Sequence, residues 1–243
     1  MTITSAAPAG GTARRLGLWA LPAYGVLLGL GTLTHQPPVE DFDAYARYVT
    51  TGTFLAGHVG GSVGGAGLAV LGAVAVTAYL VTGRSARAAV IGLALTTMSN
   101  VYLAATFGSA AFVQPGIGRA HLAGVPGMPA LNDDTAYGPA LFVVAFAAMF
   151  LLMVSAIVLG VAVARYDRRL RWEGVGYAVL IPAFVVSGQA FQAVQPVTGF
   201  ALAAVTAVLA VRLPRLAGTG AGPAAGARPA ASPAAAHSGH GER

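Results

Sequence analysis

Three of the five histidines carry the chemistry needed to bind a metal ion or a haem. His35 follows the first long apolar run, His58 lies at the start of the second, and His121 lies in the loop after the third. Imidazole is a common ligand of haem iron, copper and zinc. These histidines fall on separate segments, and their spacing matches no local metal motif. The competing interpretation is that the imidazoles contact water and lipid headgroups at a membrane surface.

Polar amide and hydroxyl side chains form a second set of candidates. Asn100 lies near the middle of the third apolar run, and Thr96 lies one turn before it on the same face. An amide in hydrocarbon must be hydrogen-bonded, so both residues are expected to face the interior of a helical bundle. They would then form either an interhelical hydrogen bond or the lining of a substrate pathway. Gln189, Gln192 and Gln195 share one face at the end of the fifth run, which is typical of a vestibule wall or of a capped helix end.

Glycines recur at intervals of four in the second run, at Gly57, Gly61 and Gly65. Small residues at this spacing predict close packing between membrane helices. A ligand lying against exposed backbone is the alternative interpretation.

Several classes of chemistry are excluded by composition. The chain has no Cys, which excludes disulfides, iron–sulfur clusters and thiolate–zinc sites. It has no Lys either, which excludes a Schiff base. The nucleophile-elbow, zinc-protease and phosphate-loop motifs are all missing from the sequence. We therefore predict a protein that is not an enzyme. No cofactor is predicted, although a haem or metal held by His35 and His58 stays open.

The elements that position these residues are predicted to be transmembrane helices. Hydrophobic residues make up 56% of the 243 residues and charged residues 9%, against roughly 25% charged in soluble domains. Six uncharged runs are close to the length that spans a bilayer. The sequence therefore predicts an all-α transmembrane bundle over residues 14–216, with six spans at residues 16–34, 58–81, 88–113, 140–164, 175–194 and 197–213.

The basic residues predict the orientation of this bundle. All fourteen are Arg, and with a cytoplasmic N-terminus twelve of them lie on the inner side. The two on the outer side are Arg47 and Arg119. Arginines concentrate on the cytoplasmic side of membrane proteins, which favours six spans with both termini inside. No acid lies inside a predicted span, and the one arginine there, Arg212 near the end of the sixth, is expected to reach the lipid headgroups. This absence of ionisable groups at membrane depth disfavours proton coupling. Arginine-rich, lysine-free composition is typical of high-GC bacteria, so the expected location is a bacterial inner membrane.

The segments outside the spans have their own predictions. A short helix is expected on the outer membrane surface within His35–Gly52, and residues 114–139 are expected to form a long outer loop. Residues 1–13 and the Gly-, Ala- and Pro-rich residues 217–243 are predicted to be disordered in the cytoplasm.

These observations lead to a leading functional hypothesis and two alternatives. The first is a transporter-like protein or accessory subunit whose polar groups gather at the outer face. The second is a membrane redox protein that binds haem or metal through outer-face histidines. The third is a structural partner of another membrane complex. The expected partners are the lipid bilayer and either another membrane protein or a second copy of the chain, but no nucleic acid.

Overall fold

The computed structural model describes residues 9–219, and all regular structure within them is helical. Five helical segments in this range are long and apolar enough to cross a bilayer. They are Gly52–Leu80, Ala86–Leu122, Pro139–Tyr166, Arg168–Ala190 and Gln192–Gly218. The prediction of an all-helical chain with several such helices is confirmed.

The first predicted span is divided into two helices. α1 covers Ala9–Leu18 and α2 covers Ala20–Gly31, with a break at Trp19. Pro22 explains the position of the break, because it has no amide hydrogen and its ring clashes with the carbonyl four residues earlier, that of Leu18. Each half is shorter than the roughly 20 residues needed to span hydrocarbon. A first span therefore requires α1 and α2 together.

The remaining elements follow in chain order. They are α3 (Phe42–Val49), α4 (Gly52–Leu55), a π-helical stretch (Ala56–Val63), α5 (Gly64–Leu80), α6 (Ala86–Leu122), α7 (Met128–Thr135), α8 (Pro139–Tyr166), α9 (Arg171–Ala190) and α10 (Gln195–Thr219). α4, the π-helical stretch and α5 form one continuous rod. Short 3-10 turns at Arg168–Leu170 and Gln192–Val194 precede α9 and α10.

The long helices form a closed ring in chain order. α2 packs on α5, α5 on α6, α6 on α8, α8 on α9 and α9 on α10, and α10 returns to pack on α2. The main buried cluster fills the half of the ring near the arginine-rich helix ends. It includes Leu18, Leu80, Leu159, Leu170 and Leu213, each at most 1% exposed. We call this the inner half, and the opposite half of the ring the outer half.

Glycines bring neighbouring helices into backbone contact. A Cβ atom placed on Gly199 of α10 would lie 2.5 Å from the backbone nitrogen of Gly29 in α2. A Cβ on Gly174 of α9 would lie 2.5 Å from the carbonyl oxygen of Gly160 in α8. Lipid tails are as apolar as leucine, so association in a bilayer depends on close packing of this kind.

α6 continues beyond its predicted end at Val113 and ends at Leu122. Pro115 removes one helical hydrogen bond but does not stop the helix. The extension is held by α3, since a Cβ on Gly118 would lie 3.0 Å from the carbonyl oxygen of Ala46. The predicted outer loop over residues 114–139 is therefore largely helical, formed by the end of α6 and by α7.

The predicted disordered ends are also shorter than expected. α1 already begins at Ala9, and α10 runs to Thr219 because Leu216 and Ala217 pack against the main buried cluster. The rest of both predicted disordered segments, residues 1–8 and 220–243, lies outside the described residues.

Candidate functional site

A cavity of about 700 Å³ occupies the outer half of the ring. Its wall comes from α2 and the end of α9, from the π-helical stretch with the adjoining parts of α4 and α5, from the middle of α6, and from residues of α3, α8 and α10. Twelve of its 26 lining residues have large aromatic or aliphatic side chains: Tyr24, Leu27, Leu28, Leu30, Tyr48, Phe54, Leu103, Phe107, Met149, Leu152, Phe184 and Val185. No charged side chain occurs among the described residues that line it. Cavities of this size and composition are typical of small-molecule sites.

His58 lies in the wall of this cavity between two aromatic rings. Its ring centroid is 4.0 Å from that of Phe54 and 5.9 Å from that of Phe107. The Nδ1 atom lies 3.0 Å from the carbonyl oxygen of Phe54. A carbonyl only accepts, so Nδ1 carries the hydrogen and Nε2 of the neutral ring is an acceptor. Nε2 has no hydrogen-bond partner within residues 9–219.

The π-helical stretch exposes glycine backbone to the cavity. In a π-helix the amide bonds to the carbonyl five residues earlier instead of four, as in the bond from the Gly64 amide to the Val59 carbonyl. Gly57 and Gly61 line the cavity, and a Cβ on either would meet nothing within 4 Å. The close packing predicted for these two glycines is therefore not what the structure shows. Gly65, one turn on, does pack, with its Cβ position 3.5 Å from the ring of Tyr24.

Asn100 forms part of the cavity wall at the middle of α6 and is 2% exposed. Its Nδ2 donates to the carbonyl oxygen of Thr96 at 2.8 Å. Its Oδ1 is buried and lacks a donor among the described residues. Thr96 is buried one turn away and does not line the cavity. The predicted interhelical bond is thus replaced by a bond within α6, which leaves an acceptor unsatisfied beside the cavity.

Two of the three glutamines reach the same cavity. Gln189 and Gln195 are in its lining, whereas Gln192 lies exposed in the 3-10 turn between α9 and α10. Nε2 of Gln195 donates to the carbonyl oxygen of Phe184 at 3.4 Å. The structure therefore brings His58, Asn100 and Gln189 to one cavity with Gly57 and Gly61, while Thr96, Gln192 and Gly65 lie outside its lining.

The other two histidines do not reach the cavity. His35 is exposed after the end of α2, so the hypothesised haem ligands His35 and His58 do not share this site. His121, at the end of α6, places Nε2 2.6 Å from Oδ1 of Asp43 in α3. The hydrogen bond from His121 is the main reason that the pKa of Asp43 is lowered. Within residues 9–219 no group of three or more His, Cys, Asp or Glu side chains is placed to hold a metal ion.

α3, the end of α6 and α7 form an outer cap beside the cavity. Phe42, Tyr45, Val49 and Ile117 are buried together, and Phe54 joins this cluster to the cavity wall. The Tyr45 hydroxyl donates to Oδ1 of Asn132 in α7 at 3.2 Å. Burial is the main reason that the pKa of this hydroxyl is raised. The cap was not foreseen, because its residues are scattered over three segments.

An ion pair with a buried carboxylate joins α9 and α10 in the inner half. Arg212 of α10 donates to Oε1 of Glu173 in α9. The Glu173 side chain is 6% exposed, whereas that of Arg212 is 46% exposed. Arg212 was expected at the lipid headgroups, and the predicted spans leave Glu173 in the connection between the fourth and fifth. One feature of the sequence could have indicated this ion pair: an acid lies at the start of one helix and an arginine at the end of the next.

In comparisons with known proteins, no protein-family model, no curated protein and no solved structure matches the chain.

Proposed function

We propose that the chain is a six-span protein of a bacterial inner membrane with both termini in the cytoplasm. α1 and α2 together supply the first span. The position of α2 supports this, because it packs against both α5 and α10 as a full member of the ring. The distribution of the fourteen arginines supports the orientation.

Within that frame, the proposed activity is that of a transporter-like protein or accessory subunit that binds a small, uncharged, mostly apolar molecule on its outer side. The observation that carries the proposal is the 700 Å³ cavity with its aromatic lining. A charged ligand would be costly here, since burying a charge without a counter-charge is strongly unfavourable. Hydrocarbon and ring surfaces instead match Phe54, Phe107 and Phe184.

Filling the cavity from its glycine wall is expected to abolish binding. Gly61→Leu places a side chain into open space in the cavity lining, without a backbone clash. The probe is 2-methoxynaphthalene, an uncharged aromatic ether. Isothermal titration calorimetry on protein in nanodiscs, corrected with empty nanodiscs, should show saturable binding to the unmodified protein and at least a tenfold loss in Gly61→Leu.

Gly67→Leu is the matched control, because Gly67 is on the same rod, is exposed, and has nothing within 4 Å of a Cβ. It does not line the cavity, so its affinity for the probe should equal that of the unmodified protein. Equal binding by all three proteins, or no saturable binding by any, would refute a cavity site.

A second candidate function is favoured by one observation at His58. A metal-bound histidine commonly donates its other ring N–H to a carbonyl, as His58 does to Phe54. His58 alone could therefore hold a haem or metal through Nε2. A Soret absorption band in the purified protein that is lost in His58→Ala would favour this redox function over the first proposal.

A further inference from the structure

Five polar side chains of the cavity share one feature: they donate to backbone carbonyls of nearby helical segments. His58 Nδ1 donates to Phe54, Asn100 Nδ2 to Thr96, Gln195 Nε2 to Phe184, Ser62 Oγ to Gly57, and Thr32 Oγ1 to Leu28 and Gly29. The acceptor in every case is a carbonyl oxygen, which has no hydrogen to give. This fixes the direction of each bond, including the orientation of the amides and the tautomer of the imidazole.

These bonds use the donor groups of the side chains and leave three acceptor atoms without a hydrogen-bond partner. His58 Nε2, Asn100 Oδ1 and Gln195 Oε1 have no donor among the described residues, and all three residues line the cavity. Of the three, Asn100 Oδ1 is fully buried, and a buried acceptor without a donor is costly. A ligand that brings a hydrogen to this wall removes that cost, whereas a ligand that brings only a carbonyl or ether oxygen does not.

The donors that remain free at the wall point to the same ligand chemistry. Tyr24 and Tyr48 line the cavity, and no hydrogen bond is made by either hydroxyl within residues 9–219. A ligand hydroxyl both donates and accepts, so one group can serve an acceptor of the wall and a tyrosine. A protonated amine only donates, and the lining offers no carboxylate to neutralise it.

We infer that the cavity selects a lipophilic alcohol or phenol, recognised through its hydroxyl hydrogen by His58, with Asn100 as a second acceptor in the same wall. This inference rests on the proposed function, because it names the ligand class of the same cavity. Phe54 and Phe107, which flank the imidazole, supply the surface on which an aromatic ring packs.

A pair of probes that differ in one hydrogen-bond donor tests the inference. 2-Naphthol and its methyl ether, 2-methoxynaphthalene, have nearly the same shape. A hydrogen bond contributes about 1 kcal/mol, so the naphthol should bind about fivefold more tightly to the unmodified protein in nanodiscs. His58→Phe keeps a ring between Phe54 and Phe107 but removes Nε2, and should reduce this ratio to about one.

The ether serves as the folding control, since His58→Phe should bind it as well as the unmodified protein does. Asn100→Leu provides the second variant and should also lower the ratio. Equal affinities of the two probes for the unmodified protein would overturn the inference while leaving the cavity proposal intact. A preference that survives both substitutions would overturn it as well. If neither probe binds saturably, the cavity proposal itself fails, and the inference fails with it.

Discussion

Arg212→Leu is expected to destabilise the bundle by about 3 kcal/mol, because it leaves the Glu173 carboxylate buried without a counter-charge. Oε2 of Glu173 already lacks a donor among the described residues, so Arg212 is the group that balances its charge. The loss should appear as a lower midpoint in reversible unfolding of the detergent-solubilised protein. Glu173→Leu should cost less, because Arg212 is partly exposed and its guanidinium can reach water.

The double substitution Arg212→Leu with Glu173→Leu should recover most of the lost stability, since a buried ion pair replaced by apolar side chains is often neutral. Arg215→Leu is the matched control: Arg215 is on the same helix and exposed, and no ion pair of Arg215 occurs within residues 9–219. The pairing would be refuted if Arg212→Leu and Arg215→Leu had the same effect.

Gly199→Ala is the second large effect, with an expected loss of about 2–3 kcal/mol from overpacking. The added Cβ would lie 2.5 Å from the backbone nitrogen of Gly29 and 2.8 Å from its Cα atom. Backbone atoms cannot rotate away as a side chain can, so α2 and α10 must separate and lose contacts along their length. The same unfolding assay measures this loss.

Gly67→Ala is the control for helix propensity without a packing clash. Nothing lies within 4 Å of a Cβ at Gly67, so alanine there should stabilise the helix by about 0.5–1 kcal/mol. A stable Gly199→Ala variant would show that α2 and α10 are not in backbone contact, and the ring would then be open between its first and last helices.

The presence of long apolar helices could be predicted from the sequence, because five of the uncharged runs are long and apolar enough to cross a membrane. The ends of these helices were harder to predict. Pro115 was expected to follow the third span, yet α6 continues through it because Gly118 packs against α3, a contact between residues far apart in the chain. Pro22, inside the first run, instead marks the start of a new helix.

For the candidate site too, the sequence indicated which residues are unusual but not where the fold places them. Polar residues in apolar runs indicated His58 and Asn100, and the structure places both in one cavity. Glycine spacing indicated packing at Gly57 and Gly61, but the π-helical stretch leaves both facing open space. The aromatic lining of the cavity could not be predicted, since Tyr24, Phe107 and Phe184 come from three separate helices. The Glu173–Arg212 pair was missed because the predicted spans leave Glu173 outside the bundle, where it needs no partner.

The absence of cysteine makes the central claim, an outward-facing cavity within a membrane-spanning bundle, directly measurable. The single substitutions Gly61→Cys in the cavity, Gly67→Cys on the exposed side of the rod away from the cavity, and Arg87→Cys near the arginine-rich helix ends would be tested with a membrane-impermeant thiol reagent. In intact spheroplasts the cysteine at 61 should be labelled, while the one at 67 is shielded by lipid and the one at 87 reacts only after the membrane is opened. Labelling at 87 and protection at 61 in intact spheroplasts would contradict the account.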